Sequence, residues 1–473
     1  MAAQIEPTSS ATAAARSPAV GSRETPPYPR SAYSWYVVAI LMLIYVNSFL
    51  DRQILGLLVD PIRTTLDISE SQMGFLMGPA FGIFYIVAGI PLGRLADLMS
   101  RRWLVFIGQF FWSLMSVGCG LVRSFGQFLG LRIGVGVGEA SLSPAAYSMI
   151  TDLFPPSKLA RALSVYAAGI YIGAGAARFV GGLAVRFAEE QGNWTVPLLQ
   201  REVHAWQIVF FFIAAPTIPL SILLLTVKEP VRRGVRMVRN AQGKAVAVAV
   251  PIGEVLSYIW QNRTTMLCHS FGFAMLAFSG YGVAGWMPSH LIRNLGMSAA
   301  DVGVALGIVG MTLGTTGVFL GGALADRLFA RGVRNARLMV GLISALVWFP
   351  AGLLYPFMND PKWAIALYGL AVLIAATASG VGPAAVQQIM PNKMRGQASA
   401  LYLFVVNLFG LGFGPYILSL FTQYVFRDDT AVRWSLLVVP AGAHVLAAVL
   451  LFWGLEPFKR SLDRLERWEA EST

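Results

Sequence analysis

Long apolar runs separated by short polar breaks make up most of this chain. A helix needs about 20 predominantly apolar residues to cross a bilayer, and open strand edges are not viable in lipid. The pattern therefore predicts an all-α polytopic membrane protein with about twelve transmembrane helices, which we number spans 1 to 12. The runs fall at roughly 35–59, 72–96, 103–122, 127–153, 162–186, 205–227, 264–291, 300–325, 336–357, 362–390, 398–425 and 434–455.

Composition agrees with a membrane protein. Only 13% of the residues are charged and mean hydropathy is +0.62, whereas about 25% are charged in a typical soluble domain. Cys119 and Cys268 lie in predicted spans, so we expect packing thiols rather than a disulfide. No group of His, Cys, Asp and Glu has metal-ligand spacing, and we expect neither a metal site nor a cofactor.

The net charge of +12 is distributed as in a membrane protein. Lys and Arg concentrate in alternate loops and in both tails, for example at Arg101 and Arg102 and across 228–244 and 327–337. Such an excess marks the cytoplasmic side. We therefore predict cytoplasmic termini, contacts between basic side chains and anionic membrane lipids, and no nucleic-acid partner.

The chain repeats itself. GRLADLMSRR follows span 2 and GALADRLFAR follows span 8, so that Asp97 and Asp326 occupy matching positions. Span 6 exits through VKEP and span 12 through GLEP. These landmarks predict two pseudo-symmetric six-helix bundles with a substrate site between them. The predicted divisions are a disordered tail (1–33), an N-terminal bundle (34–227), a linker with a short interfacial helix (228–262), a C-terminal bundle (263–456) and a tail (457–473).

Ionisable residues inside two spans point to a transport site. Asp51 and Arg52 lie in span 1, and Arg132 and Glu139 lie in span 4. A charge at membrane depth costs about 2.5–3.5 kcal/mol even on the insertion scale, and such residues usually face a bundle interior or a water-filled path. Asn47 falls one turn deeper in span 1. We hypothesise two coupled pairs, Arg52 with Glu139 and Asp51 with Arg132.

Proton and cargo binding would then share one arginine. Protonation of Glu139 would release Arg52, whose guanidinium could bind an anionic head group bidentately. The alternative is a static buried salt bridge that only fixes helix packing. Arg178 in span 5 could supply a second cation for the cargo, extend to the membrane surface, or pair with Glu139.

The remaining polar and aromatic side chains of the spans are candidates for the cavity wall. An apolar, aromatic C-terminal half that faces a charged N-terminal half would suit an amphipathic cargo, although ordinary helix packing would also place such residues there. Asn407, with the glycines and proline that follow it, predicts a bendable span 11. The candidates are Ser143, Tyr281, Trp286, Gln387, Tyr402 and Asn407.

The repeated loop resembles the signature of the major facilitator superfamily, G-x-x-x-D-R/K-x-G-R-K/R, with departures at Leu98 and Ser100. That resemblance implies the superfamily's two-bundle fold and alternating access. A carboxylate–guanidinium latch at this loop would hold one state of the cycle. Its members are predicted to be Asp97, Arg101, Arg102, Asp326 and Arg327.

Within that superfamily the chain resembles the spinster branch. FLDRQILGLLVDPIR (49–63), LRIGVGVGEASLSPA (131–145) and GWMPSHLIR (285–293) carry this resemblance, and SLSPAA is similar to bacterial members. Spinster proteins export sphingosine-1-phosphate or lysophospholipids, some of them coupled to protons. The resemblance implies an acidic, amphipathic, lipid-like cargo, protons as coupling ion, and residence in the plasma (bacterial inner) membrane.

Other functions stay open on the sequence. A symporter of small organic anions or sugar acids and a drug–proton antiporter compete with lipid transport, and a non-transporting receptor would keep the fold. A membrane enzyme is disfavoured because Ser141 and Ser143 have no accompanying histidine. One chain holds both halves of the expected transport unit, so we expect a monomer.

Overall fold

The computed structural model describes residues 27–196, 201–232, 237–239, 245–247, 252–391 and 394–472. The helices of the N-terminal half are Ser31–Gln53 and Ile54–Leu57 (span 1), Val59–Leu66 (between spans 1 and 2), Glu70–Met77 and Pro79–Leu98 (span 2), Arg101–Cys119 (span 3), Phe125–Glu139 and Leu142–Leu153 (span 4), Pro156–Gln191 (span 5), and Ala205–Ala214 and Thr217–Leu225 (span 6). A separate helix, Ile252–Gln261, follows in the linker, where the sequence predicts one.

The C-terminal half contains the other six spans. Its helices are Arg263–Leu295 (span 7), Ala299–Val309, Gly310–Gly314 and Thr315–Ala330 (span 8), Ala336–Leu354 and Tyr355–Phe357 (span 9), Pro361–Gln388 (span 10), Arg395–Asn407, Leu408–Phe413, Gly414–Leu420 and Phe421–Phe426 (span 11), Asp429–Ala431, and Val432–Ser472 (span 12). Two short antiparallel hairpins, which the sequence analysis did not predict, pair Trp194–Val196 with Arg201–Val203 and Met237–Arg239 with Ala245–Ala247.

The all-α polytopic prediction is confirmed. Ten helical segments of the described residues are long and apolar enough to cross a membrane. Spans 3 and 4 are not among them. Span 3 begins on Arg101 and Arg102, and span 4 contains Arg132 and Glu139, so these charges lower the mean hydropathy of both spans.

Polar residues at the predicted turns start the helices. Ser69 accepts a hydrogen bond from the N–H of Gln72 and completes a capping box at the start of span 2. Ser298 caps span 8 and Asp360 caps span 10 in the same way. Such caps satisfy backbone donors that have no partner within the helix, so short polar breaks suffice to separate long apolar helices.

Two predicted tails differ from the structure. Span 1 begins at Ser31, within the predicted disordered segment, whose residues 1–26 lie outside the described residues. The predicted C-terminal tail is part of the last helix, Val432–Ser472. Arg334 fastens that extension by contacts of 2.6 Å to Asp463 and 2.7 Å to Glu466.

The two halves touch through glycines. Span 5 packs on span 8 and span 2 on span 11. A Cβ at Gly303 would lie 2.6 Å from the Cα of Gly182, and one at Gly82 would lie 2.9 Å from the Cα of Gly412. The glycines therefore allow backbones from opposite halves to approach closely. The π-helical segment Leu408–Phe413 follows Asn407 in span 11, where the sequence predicts bending; its role as a hinge stays a prediction.

We call the membrane side at which span 1 begins and span 12 ends the terminus side, and the opposite side the far side. Arg293, near the end of span 7, lies 2.6 Å from Asp60 and 2.8 Å from Glu70 of the other half. On the far side, ion pairs therefore join the two halves. The terminus-side ion pairs of the described residues, such as those of Arg101 and Arg334, each stay within one half.

Candidate functional site

Arg52 and Glu139 form the predicted ion pair between spans 1 and 4. Nε and Nη2 of Arg52 lie 2.7 Å and 2.6 Å from the same oxygen, Oε2 of Glu139. The Glu139 side chain is fully buried and that of Arg52 is 9% exposed. Oε1 of Glu139 has no hydrogen-bond partner. One carboxylate oxygen therefore receives both contacts of the guanidinium, while the other is left unpaired in a buried place.

Aromatic rings surround the same guanidinium. The Cζ atom of Arg52 lies 5.1 Å from the ring centroid of Phe49 and 4.9 Å from those of Phe81 and Tyr85. A desolvated cation over an aromatic face gains about 2 kcal/mol. Phe81 and Tyr85, which the sequence analysis did not select, thus help to hold the charge of Arg52 at membrane depth.

The second predicted pair, between the side chains of Asp51 and Arg132, is wrong. Nη1 of Arg132 donates to the backbone carbonyl of Asp51 at 3.1 Å, and the Asp51 carboxylate instead accepts a hydrogen bond from the hydroxyl of Ser116 in span 3. Nε of Arg132 has no partner. The prediction of this pair rested only on the depth of the two residues in the membrane. At that depth the carbonyl of Asp51 also accepts a hydrogen bond from Arg132, and Ser116 donates one to the carboxylate of Asp51.

A small central cavity of about 30 Å³ adjoins this cluster and lies between the halves. Arg52, Gln53 and Arg132 line it from the N-terminal half, and Tyr281, Leu411 and Pro415 from the C-terminal half. The volume suits about two water molecules. Met77 and Phe81 also line the N-terminal wall beside the guanidinium groups. Tyr281 lies at the wall as predicted, and the division of a charged wall from an apolar one stays a prediction.

Arg178 of span 5 does not pair with Glu139 in this structure. Its side chain is buried and donates to the backbone carbonyl of Ala284 in span 7 at 3.4 Å. Ala284 lines the central cavity. Arg178 does not reach a membrane surface either, because residues of both halves enclose it. A role of Arg178 as a second cation for the cargo stays a prediction.

Three other predicted residues serve packing instead of the cavity. The amide of Asn47 donates to Thr217 at 3.1 Å. Trp286 is fully buried and donates to the carbonyl of Pro415 at 2.8 Å. Tyr402 is buried against His269, with ring centroids 4.9 Å apart. Trp286 and Tyr402 bury large aromatic rings in the packed interior of the protein, where such rings contribute much apolar area. The sequence does not distinguish this position from one at the cavity wall.

Ser143, Gln387 and Asn407 are accessible to different degrees. Ser143 and Asn407 are partly buried and Gln387 is exposed, and none of them lines the central cavity. His269 and His444 are buried and contact the carbonyls of Gly382 and Ala345. No group of His, Cys, Asp and Glu within the described ranges is arranged to hold a metal ion.

A family model described as "Major Facilitator Superfamily" matches residues 41–415. This chain belongs to the major facilitator superfamily. It is 27% identical over 439 residues to an MFS-type efflux pump of Mycolicibacterium smegmatis, which covers 92% of this chain and 95% of that protein. It is 26% identical over 404 residues to Protein spinster of Drosophila melanogaster, 83% of this chain and 62% of that protein.

Solved structures and a sugar-acid transporter complete the comparison. A bacterial homologue of the human lysosomal transporter spinster, inward-facing and unoccupied, superposes with a TM-score of 0.77 at 25% identity, covering 92% of this chain and 99% of that chain. The Hexuronate transporter of Bacillus subtilis is 23% identical over 430 residues, 89% of this chain and 94% of that protein. The chain is thus a spinster-like facilitator and a multi-pass membrane transporter, not an enzyme.

The superfamily loop does not form the predicted latch in this structure. Arg101 is buried and contacts Asp152 at 2.5 Å and Glu229 at 2.8 Å, rather than Asp97. Arg102 donates to the carbonyl of Val227 at 3.0 Å. Asp97 is exposed on the terminus side. In this state Asp152 and Glu229, from distant positions in the sequence, occupy the guanidinium of Arg101.

The second copy of the loop, which follows span 8, also shows no latch contact among the described residues. Asp326 and Arg327 are both exposed, and the ion pairs found among the described residues include neither. The ion pairs found on the terminus side among the described residues lie within one half. A latching role for these five residues stays a prediction for the opposite state.

The carboxylate of Glu229, just beyond the end of span 6, accepts hydrogen bonds from Ser100, Arg101 and Arg102 of this loop. Partial burial raises its pKa, but hydrogen bonds from the backbone N–H of Arg102 and the side chains of Arg101 and Ser100 outweigh burial, so its pKa is lowered. The VKEP landmark had marked this residue as part of the repeat. Its role is to fix span 3 to the end of span 6.

The far-side ion cluster consists of Asp60, Arg63, Glu70, Arg293 and Asp429, and sequence analysis missed it. Arg63 contacts Glu70 at 2.5 Å and Asp429 at 2.8 Å. Arg293 bridges Asp60 and Glu70. The sequence signal for this cluster is Glu70, an acidic residue directly before an apolar run, where it can pair with basic residues at the ends of neighbouring helices.

Proposed function

We propose that this spinster-like facilitator is a proton-coupled secondary transporter of an acidic, amphipathic, lipid-like molecule. Lysophospholipids and sphingosine-1-phosphate-like molecules represent this class. The observation that carries the proposal is the Arg52–Glu139 ion pair, buried at the wall of the cavity between the halves. An alternating-access transporter needs a group there that responds to both proton and cargo.

The charge balance of the site favours an anionic cargo. Asp51 and Glu139 oppose Arg52 and Arg132, which leaves Arg178 as an additional buried cation close to the same cavity. With all five groups ionised, the site carries one net positive charge. Because buried charge without a partner is costly, a carboxylate or phosphate head group would balance it.

Proton coupling would act through the carboxylate of Glu139. Its Oε1 has no partner and can take a proton without breaking a hydrogen bond. The neutral acid would hold the guanidinium of Arg52 less strongly. Arg52 would then turn to the cargo, so that proton binding at Glu139 and head-group binding at Arg52 favour each other.

The opposite wall accounts for the amphipathic character. Leu411 and Pro415 of span 11 and Tyr281 of span 7 face the two guanidinium groups across the cavity. A head group would contact the N-terminal half and an alkyl chain the C-terminal half. The distribution of basic residues supports cytoplasmic termini in the plasma (bacterial inner) membrane. The captured state would then be inward-facing, and Arg101 or Arg102 would leave its present partners to meet Asp97 in the opposite state.

Substitution of Glu139 by Gln tests the coupling. In proteoliposomes, we expect loss of cargo movement driven by a pH gradient, while counterflow exchange of bound cargo persists. Glu190→Gln is the matched control, because Glu190 is an exposed acid at the end of span 5. Unchanged pH-driven transport by Glu139→Gln, accompanied by a lower melting temperature, would show that the pair is only structural.

A sugar acid is the second candidate cargo. The amide of Gln53 lies beside the two guanidinium groups at the cavity, and a hydroxyl-rich anion would use all three. A thermal-shift series with lysophospholipids, sphingoid phosphates, hexuronates and cationic dyes separates the candidates. Stabilisation by hexuronates alone would replace the lipid with a sugar acid, and stabilisation by cationic dyes alone would favour a drug–proton antiporter. We infer a monomer, which light scattering in detergent tests.

A further inference from the structure

A second cavity, which we call the far-side pocket, lies away from the central site. Its volume is about 310 Å³, within the range of about 300–1,000 Å³ that is usual for small-molecule pockets. Residues 57–61 and span 5 form one side, and spans 7 and 8 form the other. It shares no lining residue with the central cavity, so the transport site does not account for it.

The pocket has an apolar wall and a polar floor. Leu58, Val59 and Val185 are buried and line it. On the floor, the hydroxyl of Ser289 is buried and has no hydrogen-bond partner. A buried polar group without a partner costs about 1–3 kcal/mol. An aromatic ring that fills the apolar volume would give this hydroxyl a weak π acceptor and would remove part of this cost.

The charges at the rim are acidic. Asp60 and Glu189 line the pocket, and no Lys or Arg is among the described residues that do so. The nearby cations are already paired with carboxylates: Arg293 contacts one oxygen of Asp60, at the pocket itself, and Glu70, and Arg186 contacts Asp301 at 2.7 Å. Both hydrogen bonds from Arg293 to Asp60 end on the same oxygen, Oδ1. The other oxygen of Asp60 and the carboxylate of Glu189 remain for a ligand.

We propose that the far-side pocket binds a small organic cation with an apolar body, of the arylalkylammonium class. The ammonium group lies at the rim, beside Glu189 and the second oxygen of Asp60. The apolar body fills the space along Val59 and Val185. An anion is disfavoured because two carboxylates flank the entrance.

Occupancy of the pocket depends on the conformation of the transporter. Both halves contribute walls, and the far-side ion cluster holds them together. Separation of the halves on this side takes Ser289 and Ile292 away from Val59 and Val185. A ligand that binds only the closed arrangement stabilises it by its own binding free energy. The cation therefore inhibits transport, a consequence that rests on the alternating access of the proposed function.

Binding to the full chain in lipid nanodiscs tests the site directly. The probes are phenethylammonium, neutral 2-phenylethanol and anionic phenylacetate, measured by calorimetry. We expect phenethylammonium to bind about three- to fivefold more tightly than 2-phenylethanol, as an exposed ion pair provides, and phenylacetate to bind more weakly than both. Equal affinity of the cation and the alcohol would overturn the proposed ligand class.

Variants locate the binding event. Glu189→Gln should weaken phenethylammonium by about three- to fivefold, whereas Glu190→Gln, one residue further on and outside the lining, should leave it unchanged. Ala299→Phe places a ring in the pocket and should abolish binding. Retained binding in Ala299→Phe, or equal losses in the two Glu variants, would place the cation elsewhere and refute the site.

A third variant tests the dependence on conformation. Arg293→Gln weakens the contact between the halves, and it should lower the apparent affinity for the neutral probe 2-phenylethanol, which the freed charge of Asp60 does not attract, because fewer molecules hold the pocket closed. An unchanged affinity would show that the pocket persists in both states and would remove the inhibitory role. Because these measurements require no transport, a chain that binds the cation yet moves no cargo would contradict only the proposed function.

Discussion

Two groups of buried arginine–carboxylate contacts differ in which parts of the molecule they join. The Arg52–Glu139 pair connects spans 1 and 4 within the N-terminal half. Arg293 connects Asp60 and Glu70 of the N-terminal half to span 7 of the C-terminal half. The first pair can exchange a proton or a cargo head group without moving the halves. The contacts of Arg293 must break whenever the halves part on the far side.

The difference separates stability from conformational bias. A pair inside one half contributes to folding and to the chemistry of the site. A pair between halves contributes mainly to the equilibrium between two conformations, because ion pairs can exist in only one of them. Mutations that break the pair within one half should therefore change the melting temperature, and mutations that break the contacts between halves should change the accessibility of the far side. Equal effects on both measurements would contradict this distinction.

Removal of Arg52 should have the largest effect on stability. Arg52→Ala leaves Glu139 buried without its cation, and breaking one side of a buried pair costs about 3–5 kcal/mol. We expect a markedly lower melting temperature in detergent, together with loss of transport. The double variant Arg52→Met, Glu139→Leu should recover most of the stability and none of the transport. Recovery of transport in the double variant would contradict a role for the pair in coupling.

Removal of Arg293 should shift conformation more than stability. Arg293→Gln loses charged contacts to Asp60 and Glu70, each worth about 1.5–3 kcal/mol. A shift of about 1.4 kcal/mol changes the ratio of the two states tenfold. We expect at least tenfold faster labelling of a cysteine at position 58, which is buried on the far side.

The control for this shift is Arg186→Gln, which removes a contact that also joins the halves, to Asp301, but at an exposed place. Exposed pairs contribute about 0–1 kcal/mol, so labelling at position 58 should change by less than about fivefold. Equal effects of the two variants would mean that burial does not decide the strength of the far-side contacts.

A glycine variant tests the same conformational balance without changing charge. In Gly303→Ala, the new Cβ would lie 2.6 Å from the Cα of Gly182 across the halves. Overpacking of this kind costs about 1–3 kcal/mol, and parting the halves relieves it. We expect faster far-side labelling, while Gly322→Ala, in the same span with open space around it, should have none of this effect.

The fold and one ion pair could be predicted because they rest on patterns along the chain. Apolar runs, alternate basic loops and a repeated loop predicted the two-bundle fold, and the depths of Arg52 and Glu139 predicted their contact. Pairings that depend on helix rotation could not be predicted. Ser116 carries no sequence signal that it faces Asp51, and Arg101 meets Asp152 and Glu229 only after three spans have packed.

Partners across the halves are hidden for a further reason. Arg293 and Asp60 belong to different halves, and under the proposed alternating access their contact would exist in one conformation of the transporter only. A sequence encodes both conformations at once, so charges at helix ends read as loop charges until a structure selects one state. Asp97 illustrates the converse: its loop motif is clear in the sequence, yet it is exposed in this state.

The smallest expected effect concerns Glu229, whose contacts stay within one half on the terminus side. Its pKa is lowered in the folded protein because bonds from Arg102, Arg101 and Ser100 outweigh partial burial. A group with a lowered folded pKa stabilises the protein above its unfolded pKa of about 4.3, and this stabilisation disappears as the pH falls through the folded pKa. Since the side chain is partly exposed, we expect at most about 1 kcal/mol.

Melting temperature as a function of pH measures this contribution. Glu229→Gln should melt slightly below the unmodified chain at pH 7, and the two curves should converge as the pH falls below about 4. Far-side labelling should be the same in both proteins, because Arg101 and Glu229 belong to one half. A change in far-side labelling would mean that contacts within a half also bias the conformational equilibrium, and the distinction between the two kinds of ion pair would then not hold.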